Sequence, residues 1–218
     1  MIRRAALLAL ALTALIGCAS TPRADYVQRV ELLALLQTLN AELLSHDSAT
    51  ATLERWCAEH RLAQPALIVA RRVREADKPL PAELRTRLAA APDEPIAYRH
   101  VQLACGERVL SDADNWYLPD RLTPDMNREL ERTDTPFGKV VKALGFQRRT
   151  FAAQLLWSPL PPQWEMGDLA ATTQALHPPA FVLRHEAVLY TDARGPFSVV
   201  VENYTDALFD FGRWSKPR

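Results

Sequence analysis

The chain has 218 residues, with 26 basic against 26 acidic side chains and 48% hydrophobic content. Nothing in so balanced a chain suggests a nucleic-acid surface or a strongly charged partner, and no nucleic acid is expected. Its length and apolar content fit one domain with a sizeable core.

The N-terminus stands apart from that domain. Arg3 and Arg4 precede an apolar run from Ala5 to Ile16, which falls short of the roughly 20 residues that span a bilayer. It reads as a cleaved export signal over residues 1–17. Leu15-Ile16-Gly17-Cys18 resembles the lipobox of bacterial lipoproteins, which implies lipidation of Cys18 as the new first residue. Ala19 after the cysteine resembles the outer-membrane sorting pattern. The expected location is therefore the cell envelope, lipid-anchored through Cys18 and facing the periplasm, with the acyl chains as the membrane contact. Residues 18–29 are then a polar tether, and 30–212 form the folded domain.

In chain order, Val30-Glu31-Leu32-Leu33 opens a helical pattern to about Leu44, and Asp47 or Ser48 is the expected N-cap of a second helix through His60. Pro65 to Arg74 reads as a strand, and Glu83 to Ala90 as a small helix after a Pro-rich connection. Beyond Pro95 strands dominate: Tyr98 to Ala104, Val109 to Leu110 after a Gly106 turn, and Asn115 to Leu118, with Asp112 and Asp114 as turn residues. Thr123 caps a helix that has Pro124 at its first position. Further strands fall at Gln147 to Trp157, Ala180 to Tyr190 and Pro196 to Tyr204, the last two joined as a hairpin through Asp192-Ala193-Arg194-Gly195. Pro-rich runs at 158–162 and 177–179 bracket an insertion or flap. This order predicts an α+β domain, an antiparallel sheet flanked by helices.

Two of these strands carry one charge each where a core-facing strand stays apolar: Arg99, and Glu202 within Val199-Val200-Val201-Glu202. Burying a charge costs several kcal/mol unless something compensates it, so each marks either a buried ion pair or a binding site. Between them Asp134-Thr135-Pro136-Phe137-Gly138-Lys139 reads as a turn opening a helix, whose backbone amides favour a carboxylate. Cys57 and Cys105 are the cysteines left after Cys18. The sequence leaves open whether they bridge. No metal-ligand spacing, P-loop, GxGxxG or GxSxG is present, and His185-Glu186 lacks the second histidine of a zinc-protease motif. No metal or cofactor is expected.

The charges, the turn and the early helix start fall in the order seen in chorismate lyase (chorismate pyruvate-lyase), and roughly Leu32 to Tyr204 resembles that family. Arg99 matches the family's strand arginine that holds the ligand carboxylate. Thr135-Pro136-Phe137-Gly138 is similar to its Thr-Pro-Leu-Gly turn, and Ala49 stands at its ligand-facing helix start. Gly195-Pro196 followed by Glu202 reproduces the spacing of its C-terminal glutamate. The resemblance implies a chorismate-lyase-like single domain without metal or cofactor. It implies a pocket for a small carboxylated aromatic or cyclohexadienyl ligand, bound by Arg99, Phe137, Gly138, Ala49 and Glu202. If the chain is an enzyme, Glu202 and Arg99 are the catalytic candidates for eliminating pyruvate from chorismate to give 4-hydroxybenzoate. The chain departs from the family at Asn115, where lyases of the bacterial type place an arginine, and in the longer 158–179 segment. The alternative is a non-catalytic aromatic-acid-binding or structural envelope lipoprotein.

Overall fold

The computed structural model describes residues 22–74, 77–167 and 176–214. The export signal, Cys18 and part of the 158–179 segment lie outside them. The first helix, α1 (Pro22–Ser45), begins earlier than its apolar pattern. Residues 22–29, expected as a tether, form its opening turns, because Arg29 pairs with Asp25 at 2.8 Å one turn back and donates to the Pro159 carbonyl at 3.1 Å. From there Leu32, Leu36, Leu39 and Leu43 recur on one face and are fully buried. Each contributes about 1.5–3 kcal/mol by leaving water. In α2 (Ala49–Glu59) the Ser48 hydroxyl accepts from the Ala51 amide, and Leu53, Trp56 and Cys57 turn inward.

The sheet has six strands in the order β1-β2-β3-β6-β5-β4: β1 (Ile68–Val73), β2 (Ala97–Cys105), β3 (Arg108–Tyr117), β4 (Gln147–Leu155), β5 (Phe181–Thr191) and β6 (Gly195–Thr205). Every neighbouring pair is antiparallel. The fold is α+β, an antiparallel sheet flanked by helices. One face packs on α1 and α2 through Leu103, Ala113, Leu183 and Tyr204. The other packs on α3 (Ala82–Leu88), where Leu84 and Leu88 meet Trp116, Val188, Val199 and Val201. Covered on both faces, β6 is buried from Phe197 to Glu202, which accounts for its continuous apolar run.

Three local expectations change. The two short strands after Gly106 are one ten-residue strand, β3. Asp112 and Asp114, expected in a turn, stand on it across from β2. There Asp112 meets His100 Nε2 at 2.8 Å and Gln102 Nε2 at 3.0 Å, while Asp114 accepts from Tyr98 at 2.6 Å. Cross-strand partners of this kind let acidic residues occupy a strand. The helix opened by the Phe137-Gly138 turn, α5 (Phe137–Val140), is a single turn whose Lys139 and Val140 amides bond back to the Pro136 carbonyl. It is too short to build a macrodipole of its own. The α4 helix (Pro124–Arg132) begins as expected, with the Thr123 hydroxyl accepting from Met126. Cys57 near the end of α2 and Cys105 at the end of β2 bring their Cα atoms to 6.4 Å and form a disulfide, within the usual range for a bridge. Part of the Pro-bracketed segment, 158–167, leans on α1, with Leu160 buried and the Trp164 ring 6.3 Å from Tyr26.

Candidate functional site

A small cavity of about 50 Å³, open to solvent on one side, lies between the N-terminal end of α2, the α5 turn and the sheet. Ala49 and Thr50 line it from α2, Phe137 and Gly138 from α5, and Glu202 and Arg148 from the sheet. Glycine at 138 permits a close approach. A Cβ there would sit 3.2 Å from both the Ser48 and the Thr50 hydroxyl oxygens, so a side chain would require those hydroxyls or α5 to shift by a few tenths of an ångström. That close approach is what brings the two helix ends together over the cavity. Of the residues singled out from sequence, Ala49, Phe137, Gly138 and Glu202 share this one space.

Its polar wall is built on the sheet. Glu202 on β6 accepts from Arg148 Nη2 on β4 at 2.6 Å and from the Tyr204 hydroxyl at 3.0 Å. The side chains of Arg148 and Glu202 are 3% and 7% exposed. Burial works against the Arg148 charge, but Glu202 and Tyr204 outweigh it and raise the guanidinium pKa. For Tyr204, burial first and then Glu202 push the phenol well above its ordinary range, so it stays a neutral donor. The Arg148 amide donates to Asp47 at 2.9 Å, which ties β4 to the residue just before the α2 cap. Asn115 also lines the cavity and accepts from the Ser198 hydroxyl at 2.7 Å. The arrangement is a mostly apolar chamber with a fixed carboxylate acceptor, a paired guanidinium and the amide-bearing first turn of an 11-residue helix.

Arg99 is placed elsewhere. It is 3% exposed and stands across from Asn115 on the same sheet face as Glu202. It lines a different, open pocket bounded by β2, β3 and α4. Its Nε and Nη2 are buried without a hydrogen-bond partner, and burial followed by the nearby Arg72 charge lowers its pKa.

Two buried polar neighbours of Glu202 do not stand out in the sequence. Arg148 sits in an edge strand whose exposed face is polar, so it does not stand out as a lone charge in an apolar run. The two-residue alternation that puts Arg148 and Thr150 on one face was the available signal. The other is His185, directly across from Glu202 on β5 and fully buried. Its Nε2 lies 2.8 Å from the Asn40 side-chain oxygen on α1, while Nδ1 has no partner. Burial lowers its pKa to about 4, so at neutral pH it is the Nε2–H tautomer donating to Asn40.

Removing one member of a buried pair strands the other's charge. Arg148→Met is expected to cost about 3–5 kcal/mol in urea unfolding, and Arg148→Met with Glu202→Leu should recover much of that loss. A single variant as stable as the parent would show the pair is not desolvated. For His185 the folded pKa lies below the ordinary 6.5, so on acidification the unfolded chain takes the proton first. Stability should fall as pH drops from about 6.5 to 4, by up to about 3 kcal/mol, and level off below. Urea midpoints across that range should show a slope that His185→Leu flattens, and an equally steep slope in the variant would remove His185 as its source.

No protein-family model matches the chain. Among solved structures it is similar to the effector domain of PhnF from Mycobacterium smegmatis, with 14% identity, 73% of this chain and 89% of that one covered, and a TM-score of 0.45. A GntR-family transcriptional regulator from Enterococcus faecalis is 15% identical, with 66% and 97% covered and a TM-score of 0.41. For a possible transcriptional regulator, YydK, from Bacillus subtilis, the values are 14%, 66%, 60% and 0.40, so the chain spans less than two thirds of that protein's length. At these TM-scores the likeness is loose. Much nearer is a protein of Sinorhizobium fredii described as "Uncharacterized protein y4mC", 54% identical over 188 residues that make up 85% of this chain and 79% of that one. The chain belongs to the family of y4mC.

Proposed function

We propose that this protein binds a small, flat hydroxylated aromatic carboxylate in the chamber between α2, α5 and the sheet, and that it does so as a lipid-anchored protein of the cell envelope. The observation that carries the reading is the chamber itself, with apolar walls and one polar side where Glu202 is held by Arg148 and Tyr204. A ring hydroxyl would donate to Glu202. The carboxylate would lie at the opposite end, where Ser48, Thr50 and the first amides of α2 offer donors and the positive end of an 11-residue helix. Glu202 is already engaged by two donors, which favours a fixed acceptor over a base free to move protons. Binding is therefore the primary reading, and elimination of pyruvate from chorismate is the catalytic alternative on the same site. The resemblance to chorismate lyase supports the ligand class. The Cys57–Cys105 bridge supports a compartment where disulfides persist.

Calorimetric titration of the full chain in mild detergent with 4-hydroxybenzoate should give saturable binding. Glu202→Gln should weaken it at least about tenfold by removing the acceptor charge. Ala49→Met, which fills the chamber from α2, should abolish it without depending on the ion pair. Release of pyruvate from chorismate would add catalysis to binding, and absence of binding by the parent protein overturns the proposal. For the anchor, cells fed radiolabelled palmitate should label the parent protein, and Cys18→Ser should remove the label. Equal labelling of the variant would place the lipid elsewhere or nowhere.

A further inference from the structure

We infer that the outer edge of β4 is a dimerisation surface, on which a second copy of this chain lays its own β4 antiparallel, so that two six-stranded sheets join into one. This goes beyond the chamber at Glu202 and does not rest on what that chamber binds.

The two edges of the sheet differ. A strand at an edge leaves a row of backbone N–H and C=O groups unpaired, and proteins guard such rows with charge, short length or a covering segment. β1 is guarded in all three ways: it has six residues, carries Arg71 and Arg72, and gives its Ala70 amide to the Asp134 carbonyl at 2.9 Å. β4, at the other edge, has nine residues, and no charge follows Arg149 until Glu165. Its register shows which groups face outward. Leu156 donates to the Val182 carbonyl at 2.9 Å, and Leu155 stands across from Leu183. Antiparallel neighbours alternate between bonded and non-bonded pairs, so Leu155 and Ala153 turn their amides and carbonyls away from β5. On the other side of the irregularity at Phe151, Arg148 also faces outward, and its amide is taken by Asp47. Ala153 and Leu155 have no such cap among the described residues, and Ala152, Ala153 and Gln154 are exposed.

The strand that fits this edge is the same strand reversed. The irregularity at Phe151 bounds the straight run on one side and the bend at Leu156 on the other, which centres it on Gln154. With a two-fold axis through Gln154, Ala153 of each copy meets Leu155 of the other, each pair exchanging both of its N–H···O bonds. The two Gln154 side chains then stand opposite one another, where their amides can bond reciprocally, and Leu156, 39% exposed, comes against Ala152 of the second copy. Arg149, the nearest charge on the strand, lies well off the axis, so no like charges meet. An uncharged strand whose free groups match their own reverse favours a second copy over an unrelated peptide.

The test is sedimentation of the full chain at micromolar concentration in density-matched detergent, where the mass of two chains is expected. Gln154→Lys changes an exposed side chain and sets two like charges facing each other on the axis. It should leave the thermal melt of the domain unchanged and weaken the dimer several-fold. Gln154→Cys should give a disulfide-linked dimer on a non-reducing gel, and Arg149→Cys, exposed but far from the axis, should not. A monomeric parent overturns the inference. So does a dimer indifferent to Gln154→Lys and unlinked by Gln154→Cys, which would lie on another surface, and so does a different polypeptide that co-sediments with the parent and is lost in Gln154→Lys.

Discussion

The structure turns on how a carboxylate is kept in the middle of the sheet. β6 lies between β3 and β5 and is covered on both faces, so Glu202 is largely withdrawn from water and its charge is compensated within the fold. Arg148 does this from β4, reaching across β5, and that single reach organises much of what surrounds it. It commits the edge strand to its place. Through its own amide on Asp47 it also positions the residue that precedes the α2 cap. The chamber exists because the pair needs a polar lining on one side while Leu103, Val200 and Leu189 close the others.

The same constraint separates the two charges that stand out in the sequence. Glu202 is neutralised inside the protein, and the chamber beside it is close to electrically neutral. It suits a ligand that offers a donor and an apolar body. Arg99 is buried with an unused donor edge and lines a separate, open pocket.

Much of this was legible in the residues, and the parts that were not have physical reasons. The antiparallel α+β plan followed from the element order, and the Ser48 and Thr123 caps from short hydroxyl side chains ahead of apolar periodicity. A lone charge in an apolar strand correctly marked both Arg99 and Glu202 as buried. Alternation fixes which face a side chain takes, but not which pocket, so Arg99 and Glu202 were expected around one ligand and are found lining two spaces. Arg148 was hidden because an edge strand is polar whether or not one of its residues turns inward. Asp112 and Asp114 were taken for turn residues because only their partners on β2 make them acceptable in a strand. The disulfide needed a Cα distance that no sequence spacing supplies.

The Cys57–Cys105 bridge has a bearing on the chamber that its position near the far end of α2 makes easy to overlook. The helix supplies the chamber wall with its first residues and is welded to β2 near its last ones. A helix fixed at one end keeps a pivot and gives up translation. The bridge limits how far the wall can move from the sheet, and part of the entropy of holding it there is spent when the chain folds and oxidises. For a ligand bound as proposed, oxidation of two thiols remote from it would then be one of the determinants of how tightly it is held.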